Sequence, residues 1–261
     1  MNTAPPAVDL LVVGGGINGV GIARDAAGRG LRVMLVEKGD LAGATSSASS
    51  KLIHGGLRYL EQYEFRLVRE SLAEREVLLH AAPHLISPLR LVLPHVPELR
   101  PAWMIRAGLF LYDRLGGHSS LPRSHAVDLA RGPFAQGLRP GIARGFAYSD
   151  GWVDDARLVV ANARAAADLG ADIRVGTALV SARRDGQLWR ARLDGLGAGD
   201  VTARMLVNAA GPWVHDVLAD RVGVSSPHGL RLVKGSHIVV PSLYAGEHAF
   251  ILQHTDRRVI F

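Results

Sequence analysis

The run DLLVVGGGINGVGIARDAAGRGLRVMLVEKGD, residues 9–40, restricts the fold more than any other part of the chain. Residues 9–13 read as a short buried strand. Gly14, Gly16 and Gly19 then match G-x-G-x-x-G. In this pattern the first glycine permits a tight turn. The second lets the backbone approach a pyrophosphate, and the third lets the following helix pack closely on the strand. The helix is expected from about Asn18 to Arg29, with the amides of its first turn, around Ile17 and Asn18, facing a phosphate. Gly30 suits the C′ position that ends it. A second strand over 32–36 leads to Glu37, with Lys38 beside it. An acid at that strand end accepts hydrogen bonds from ribose hydroxyls and repels a 2′-phosphate. The glycines alone are weak evidence, since a glycine-rich turn needs no ligand. With strand, helix and acid all in place they specify a dinucleotide-binding unit, and they leave NAD and FAD both open.

The next residues favour FAD. An NAD domain would continue with alternating helices and strands, whereas here a polar, turn-rich stretch follows, KGDLAGATSSASSKLIHGG. Its hydroxyls and amides suit a longer ligand gripped far from its adenosine end. Thr45, Ser46 and Ser47 are the cofactor candidates, with Ser49 and Ser50 weaker ones. Further on, residues 172–207 read as a strand, a hairpin turning at Asp185-Gly186, and another strand. The last strand ends in NAAGPWV, which places Ala210 and Gly211 at a carboxyl end, where open α/β sheets bind ligands. An ordinary strand-to-helix turn is the other reading of that motif.

Composition sets limits on function. The chain has 261 residues, 48% hydrophobic and 21% charged, which suits a globular protein with a core. It has no cysteine, so disulfides, thiolate metal sites and cysteine nucleophiles are excluded, and no metal site is expected. The net charge of +6 fits nucleic acid, anionic lipid or a phosphorylated substrate. The arginines are scattered, so nucleic acid is not expected. The opening MNTAPPAVDLLVV does not read as a signal peptide. No apolar run reaches the ~20 residues of a spanning helix.

Residues 45–61, TSSASSKLIHGGLRYLE, carry a specific resemblance. Together with GGGINGVGIARDAAGRGL, LAEREVLLHAAPHL, LRPAWMIRAGLFLYDRLG, YSDGWVDDARLVVANA, NAAGPWV and LRLVKGSHIVVP, they resemble the FAD-dependent, quinone-linked glycerol-3-phosphate dehydrogenases. The resemblance implies an α/β fold. Its FAD-binding domain is Rossmann-like, of the two-dinucleotide-binding/amino-acid-oxidase type, and its substrate domain has a mixed sheet. It implies oxidation of sn-glycerol 3-phosphate to dihydroxyacetone phosphate, with a hydride passing to FAD and electrons passing on to quinone. It also implies peripheral attachment at the cytoplasmic face of a membrane, and a homodimer stays open. Members are roughly twice as long as this chain, which stops at RRVIF, so an N-terminal fragment, incomplete at its C-terminus, is expected.

The same resemblance assigns site residues. Gly55 and Gly56 pass close to the flavin, and Arg58 and Tyr59 face the anionic substrate, for which an arginine fork is the best donor. His54 is a candidate proton acceptor or flavin neighbour, or a structural histidine bonding its own turn. Tyr59 is a substrate contact or a core residue. Lys51 reads as solvated. His237, inside a strand expected over 230–241, is the second candidate base, or a structural strand histidine. Arg231 and Lys234 add positive potential or solvate the sheet. The FAD domain is expected over 1–85 and 151–226 and the substrate domain over 86–150 and 227–261. Helices are expected at 65–82 and 100–115, the latter buried or at an interface, with lipid contact through Arg100, Arg106 and Arg114 as the other reading. A strand is expected at 89–95 and a loop at 116–145. Another helix follows WVDD, with Asp154 and Asp155 at its start and Gly170 at its end. Three alternatives stay open: a related amine or amino-acid oxidase, an oxygen-using glycerol-3-phosphate oxidase, and a non-catalytic fragment that binds nucleotide weakly.

Overall fold

The structure is a computed structural model that describes residues 7–261, except 97, 99, 234, 255 and 257. The chain opens with β1 (Val8–Val13), α1 (Ile17–Gly28) and β2 (Val33–Val36). It continues through β3 (Leu52–Ile53), α2 (Phe65–Ala81), β4 (Ile86–Pro94), α3 (Ala102–Leu115), β5 (His125–Asp128) and β6 (Arg144–Val153). Next come α4 (Asp155–Asp168), β7 (Asp172–Arg174), β8 (Thr177–Asp185), β9 (Leu188–Gly195) and β10 (Gly199–Asn208). Short helical turns occupy 211–221, and β11 (Ala249–Phe250), β12 (Leu252–Gln253) and β13 (Val259–Ile260) close the chain. It forms two compact units: the chain up to Ser49 with Asp155–His237, and Ser50–Asp154 with Ile238–Phe261. By packing, residues 50–85 therefore belong with the second unit, not with the glycine-rich strand–helix–strand that precedes them.

The first unit holds a six-stranded sheet in the order β7-β2-β1-β10-β9-β8. The strands β7, β2, β1 and β10 run parallel, and β10, β9 and β8 form antiparallel pairs. The hairpin turns at Gly186-Gln187, one residue on from the expected Asp185-Gly186, because Asp185 still pairs with Leu188; Gly186 takes φ +59°. On one face α1 turns Val20, Ala23, Ala26 and Ala27 toward Leu10, Val12 and Leu35, and α4 adds Val159, Ala163 and Ala166. The small residues let the two helices approach each other and the sheet, and Gly30, at φ +81°, ends α1 as expected. The register decides the site. Val13 pairs with both Val36 and Asn208, so the carboxyl ends of β1, β2 and β10 come level.

The second unit is built on a mixed sheet, β11-β4-β6-β3, with β5 on the opposite end of β6 from β3. Val68 and Leu72 of α2 and Leu109 and Tyr112 of α3 pack with Leu91, Leu93, Phe146 and Tyr148 of the sheet. Three expectations change here. The apolar helix α3 is not buried all round: Leu109 and Tyr112 are buried, while Trp103 is 70% exposed and Phe110 50%. Only one of its faces meets the sheet. The supposed loop 116–145 contains β5, and β6 follows it, a strand buried at nearly every position and so lacking the alternation that marks a half-exposed strand. Finally, no strand forms over 230–241 among the described residues; Ile238 is 85% exposed and Val239 fully so. Alternation marks a face, and a strand also needs a neighbour to take its hydrogen bonds.

Candidate cofactor site

Backbone hydrogen bonds tie the three strand ends together. The Gly14 amide donates to Val36 at 2.9 Å, and the Ala209 amide to Val13 at 2.8 Å. Gly14 takes φ +115°, and a Cβ there would lie 2.8 Å from the Ala209 carbonyl carbon. A Cβ on Gly19 would overlap the Gly14 carbonyl and sit 3.0 Å from its carbon. These two glycines are therefore needed for packing. Gly16 differs, since a Cβ there would meet only Ser46 Oγ, at 3.1 Å, and its open side faces the cleft.

Glu37 leaves β2 into the same place. Its carboxylate accepts the Gly15 amide at 2.7 Å and the Gly39 amide at 2.8 Å. An ionised carboxylate offers about four acceptor sites, so capacity remains for ribose hydroxyls. Ser46, on a 3₁₀ turn at Thr45–Ser47, accepts the Ile17 amide at 3.0 Å. A hydroxyl from the polar stretch thus meets an amide of the first turn of α1, where the helix has no acceptor of its own. A cleft of about 370 Å³ lies over these groups, within the range of small-molecule sites. Gly14, Gly16, Glu37, Lys38, Thr45, Ser46, Ala210 and Gly211 all line it. Ser47 bonds Ala44 at 3.1 Å and lies outside the cleft lining, while the side chains of Ile17 and Asn18 are exposed, so those two contribute backbone.

The sequence reading missed Trp213 and Arg221, which also line the cleft. The Lys38 ammonium stands 4.2 Å from the Trp213 ring centre. Nothing local marks that pairing, because 175 positions separate the two residues. The donor set suits the adenosine and pyrophosphate parts of FAD: a glycine turn without side chains, the Gly16 and Asn18 amides at the start of α1, an acid after β2 and hydroxyls beyond.

In the second unit the His54–Gly56 turn is closely held. Gly56 takes φ +71°, and its amide donates to His54 Nδ1 at 3.0 Å. In the neutral ring this puts the proton on Nε2, so the exposed nitrogen is a donor. The Gly55 amide donates to Tyr112 Oη at 2.7 Å, and a Cβ at Gly55 would stand 2.5 Å from Leu72 side-chain carbons. Arg58 and Tyr59 follow on a 3₁₀ turn, Leu57–Gln62, and both are exposed. His237 is exposed in irregular chain, and Lys234 lies outside the described residues.

Comparison with known proteins agrees with this geometry. A glycerol-3-phosphate dehydrogenase of Pseudomonas aeruginosa is 62% identical over 255 residues, 97% of this chain and 49% of that protein. A D-erythritol 1-phosphate dehydrogenase of Brucella abortus is 56% identical over 98% of this chain and 52% of its own length. The chain spans about half the length of the curated relatives it matches. The crystal structure of a glycerol-3-phosphate dehydrogenase from Bacillus halodurans, complexed with FAD, superposes with a TM-score of 0.56 at 30% identity, covering 82% of this chain and 36% of that one. The glycine turn, the acid after β2 and the family pattern found over residues 9–261 lead to one assignment: the chain belongs to the FAD dependent oxidoreductase family.

Proposed function

We propose that this chain carries the FAD site and part of the substrate site of an enzyme that oxidises sn-glycerol 3-phosphate to dihydroxyacetone phosphate. The observation that carries the reading is the cleft at the level ends of β1, β2 and β10, in a chain 62% identical to a glycerol-3-phosphate dehydrogenase. FAD, when bound, supplies the hydride acceptor. The Gly16 and Asn18 amides, at the start of α1, hold its pyrophosphate and Glu37 its ribose. Thr45 and Ser46 line its path, with Ser47 shaping the turn that presents them. Arg58 pairs with the substrate phosphate, with Tyr59 as a second polar contact. His54, with Nδ1 engaged by its own turn, donates from Nε2 to a substrate oxygen, and His237 takes the hydroxyl proton.

The electron acceptor in this reading is quinone, and the enzyme attaches peripherally to the inner face of the cell membrane. The support is the resemblance and the exposed apolar face of α3, which carries Trp103 and Phe110 beside Arg106 and Arg114. No described helix is long and apolar enough to cross a membrane. In the same reading the domain roles follow the two compact units, with FAD in the first.

The test is an anaerobic visible spectrum of the FAD-loaded protein. Addition of sn-glycerol 3-phosphate should bleach the flavin band. A spectrum unmoved by this substrate in a protein extended to the relatives' full length would refute the assignment, while FAD uptake without bleaching in this chain would separate cofactor binding from catalysis. The relative acting on D-erythritol 1-phosphate favours a second reading, a longer polyol phosphate. Faster bleaching by D-erythritol 1-phosphate than by sn-glycerol 3-phosphate would establish it. Bleaching by glycine or sarcosine would point instead to amine oxidation.

A further inference from the structure

Behind the His54–Gly56 turn lies a buried polar chain that the proposed reaction does not use. Tyr112 Oη accepts the Gly55 amide at 2.7 Å and donates to Asp150 at 2.9 Å. Asp150 also accepts Arg75 Nη1 at 2.7 Å. Arg75 Nη2 reaches Glu76 and Ser119, each at 3.1 Å. The chain links three elements: α2 supplies Arg75, α3 supplies Tyr112 and β6 supplies Asp150. Arg75 is 4% exposed, Tyr112 3% and Asp150 1%. Burying a charge pair is expensive, and a packed apolar trio of similar volume often serves stability as well. Stability alone therefore accounts poorly for this arrangement.

The direction of each bond follows from the charges. Burial and the nearby Asp150 charge push the Tyr112 hydroxyl well above its ordinary pKa, so it keeps its proton. That one proton goes to Asp150, which leaves a phenol lone pair for the Gly55 amide. Burial opposes the Arg75 charge, and Asp150, together with Tyr112 and Glu76, more than offsets it. Arg75 thus holds Asp150, Asp150 orients Tyr112, and Tyr112 holds Gly55.

The turn follows β3, whose Ile53 pairs with Gly151 of β6, and it carries two further bonds within itself. Gly56 donates to His54, and the Tyr59 amide donates to the Gly56 carbonyl at 2.8 Å. The Gly55–Tyr112 bond couples this small rigid piece to α3. We infer that Tyr112 and Asp150 are positioning residues, which hold the Gly55 amide and through it set the orientation of His54 and the path to Arg58. The inference rests on the reading that the His54–Tyr59 segment serves cofactor and substrate.

The test compares Tyr112→Phe with Tyr148→Phe in the FAD-loaded chain. Tyr148 is a matched control: it is 4% exposed, and its ring packs edge-on against Tyr112 at 5.9 Å. Tyr112→Phe should slow flavin bleaching at saturating substrate by roughly tenfold, the effect of leaving one buried amide unpaired. It should also shift the His54 imidazole resonances. Tyr148→Phe should leave both unchanged. The inference is overturned if Tyr112→Phe leaves the His54 resonances in place, or if Tyr148→Phe moves them equally. Should Tyr112→Phe not fold, amide exchange in the unsubstituted protein decides. The Gly55 amide should exchange at least about a hundredfold slower than in an unstructured chain, and unprotected exchange overturns the inference. If the unsubstituted protein fails to bleach with sn-glycerol 3-phosphate, the His54 resonances and Gly55 exchange still judge the positioning role.

Discussion

Two glycines of α1, two positions apart, should respond to alanine with opposite signs. At Gly19 the added carbon overlaps the Gly14 carbonyl oxygen and lies 3.0 Å from its carbon. Carbon atoms prefer separations of about 3.5–4.0 Å and the carbonyl oxygen lies nearer still, so α1 must retreat from β1 by about an ångström or more. The obstacle is backbone at the end of a buried strand and cannot rotate away. The retreat loosens Val20, Ala23 and Ala26 against the sheet. Overpacking of this kind costs ~1–3 kcal/mol and at times more, against a helix-propensity gain of ~1 kcal/mol. With backbone on both sides of the clash we place the net loss near 2 kcal/mol, about 4–8 °C in Tm for a chain of this size. At Gly21 the added carbon meets nothing within 4 Å. There the propensity gain stands alone, and Gly21→Ala should stabilise by ~0.5–1 kcal/mol. FAD affinity should separate the pair as well. Retreat of α1 displaces the Gly16 and Asn18 amides, and losing one hydrogen bond to a charged phosphate weakens binding by about tenfold or more. Gly21→Ala should bind as the parent does. Thermal unfolding without FAD and flavin fluorescence titration read the two effects. Equal stability of the two variants would refute the packing argument for Gly19.

Glu37→Gln should destabilise the apo chain by ~1–3 kcal/mol and weaken FAD at least tenfold, because an amide cannot accept both the Gly15 and Gly39 bonds on equal terms; denaturant titration and fluorescence check it. Ser46→Ala should weaken FAD binding by a few-fold and destabilise by ~1 kcal/mol, since it removes the acceptor of the Ile17 amide. Acid sensitivity should trace to Glu76. Burial pushes its carboxyl up, but the Ser120 amide, the Ser119 and Ser120 hydroxyls and Arg75 outweigh that and bring it down to about 2. Its folded value lies below its unfolded one, so its stabilisation, roughly 1–3 kcal/mol, is complete above about pH 5 and is lost as pH falls toward 2. Glu76→Gln should flatten the stability–pH curve in that window, and an unchanged curve would count against the assignment. Arg58→Leu should raise the substrate concentration needed for half-maximal bleaching by tenfold or more, with FAD affinity unchanged.

The parts legible in the sequence are those whose causes are local. Strand, glycine turn, helix and acid fall within residues 9–37, and short-range sterics plus one change of hydrophobic period specify them. The same holds for the β8–β9 hairpin, where Gly186 supplies the positive φ the turn needs. Ser46 was legible as a hydroxyl near the cofactor, but its bond to Ile17 was not, since that depends on how residues 38–45 fold back over α1. The deeper parts depend on non-local pairing. Asn208 reaches the level of Val13 only because β10 joins the sheet beside β1, nearly two hundred residues later. Arg75, Tyr112 and Asp150 carry no shared signal in the sequence, and meet because α2, α3 and β6 enclose one polar point. The described residues of 230–241 show the reverse case, an alternating pattern that pairs with no strand among the described residues. A sequence sets the periodicity and the permitted turns of each segment by itself. Which segments become neighbours is decided by tertiary structure, because hydrogen-bond partners and burial exist only once distant parts of the chain have met.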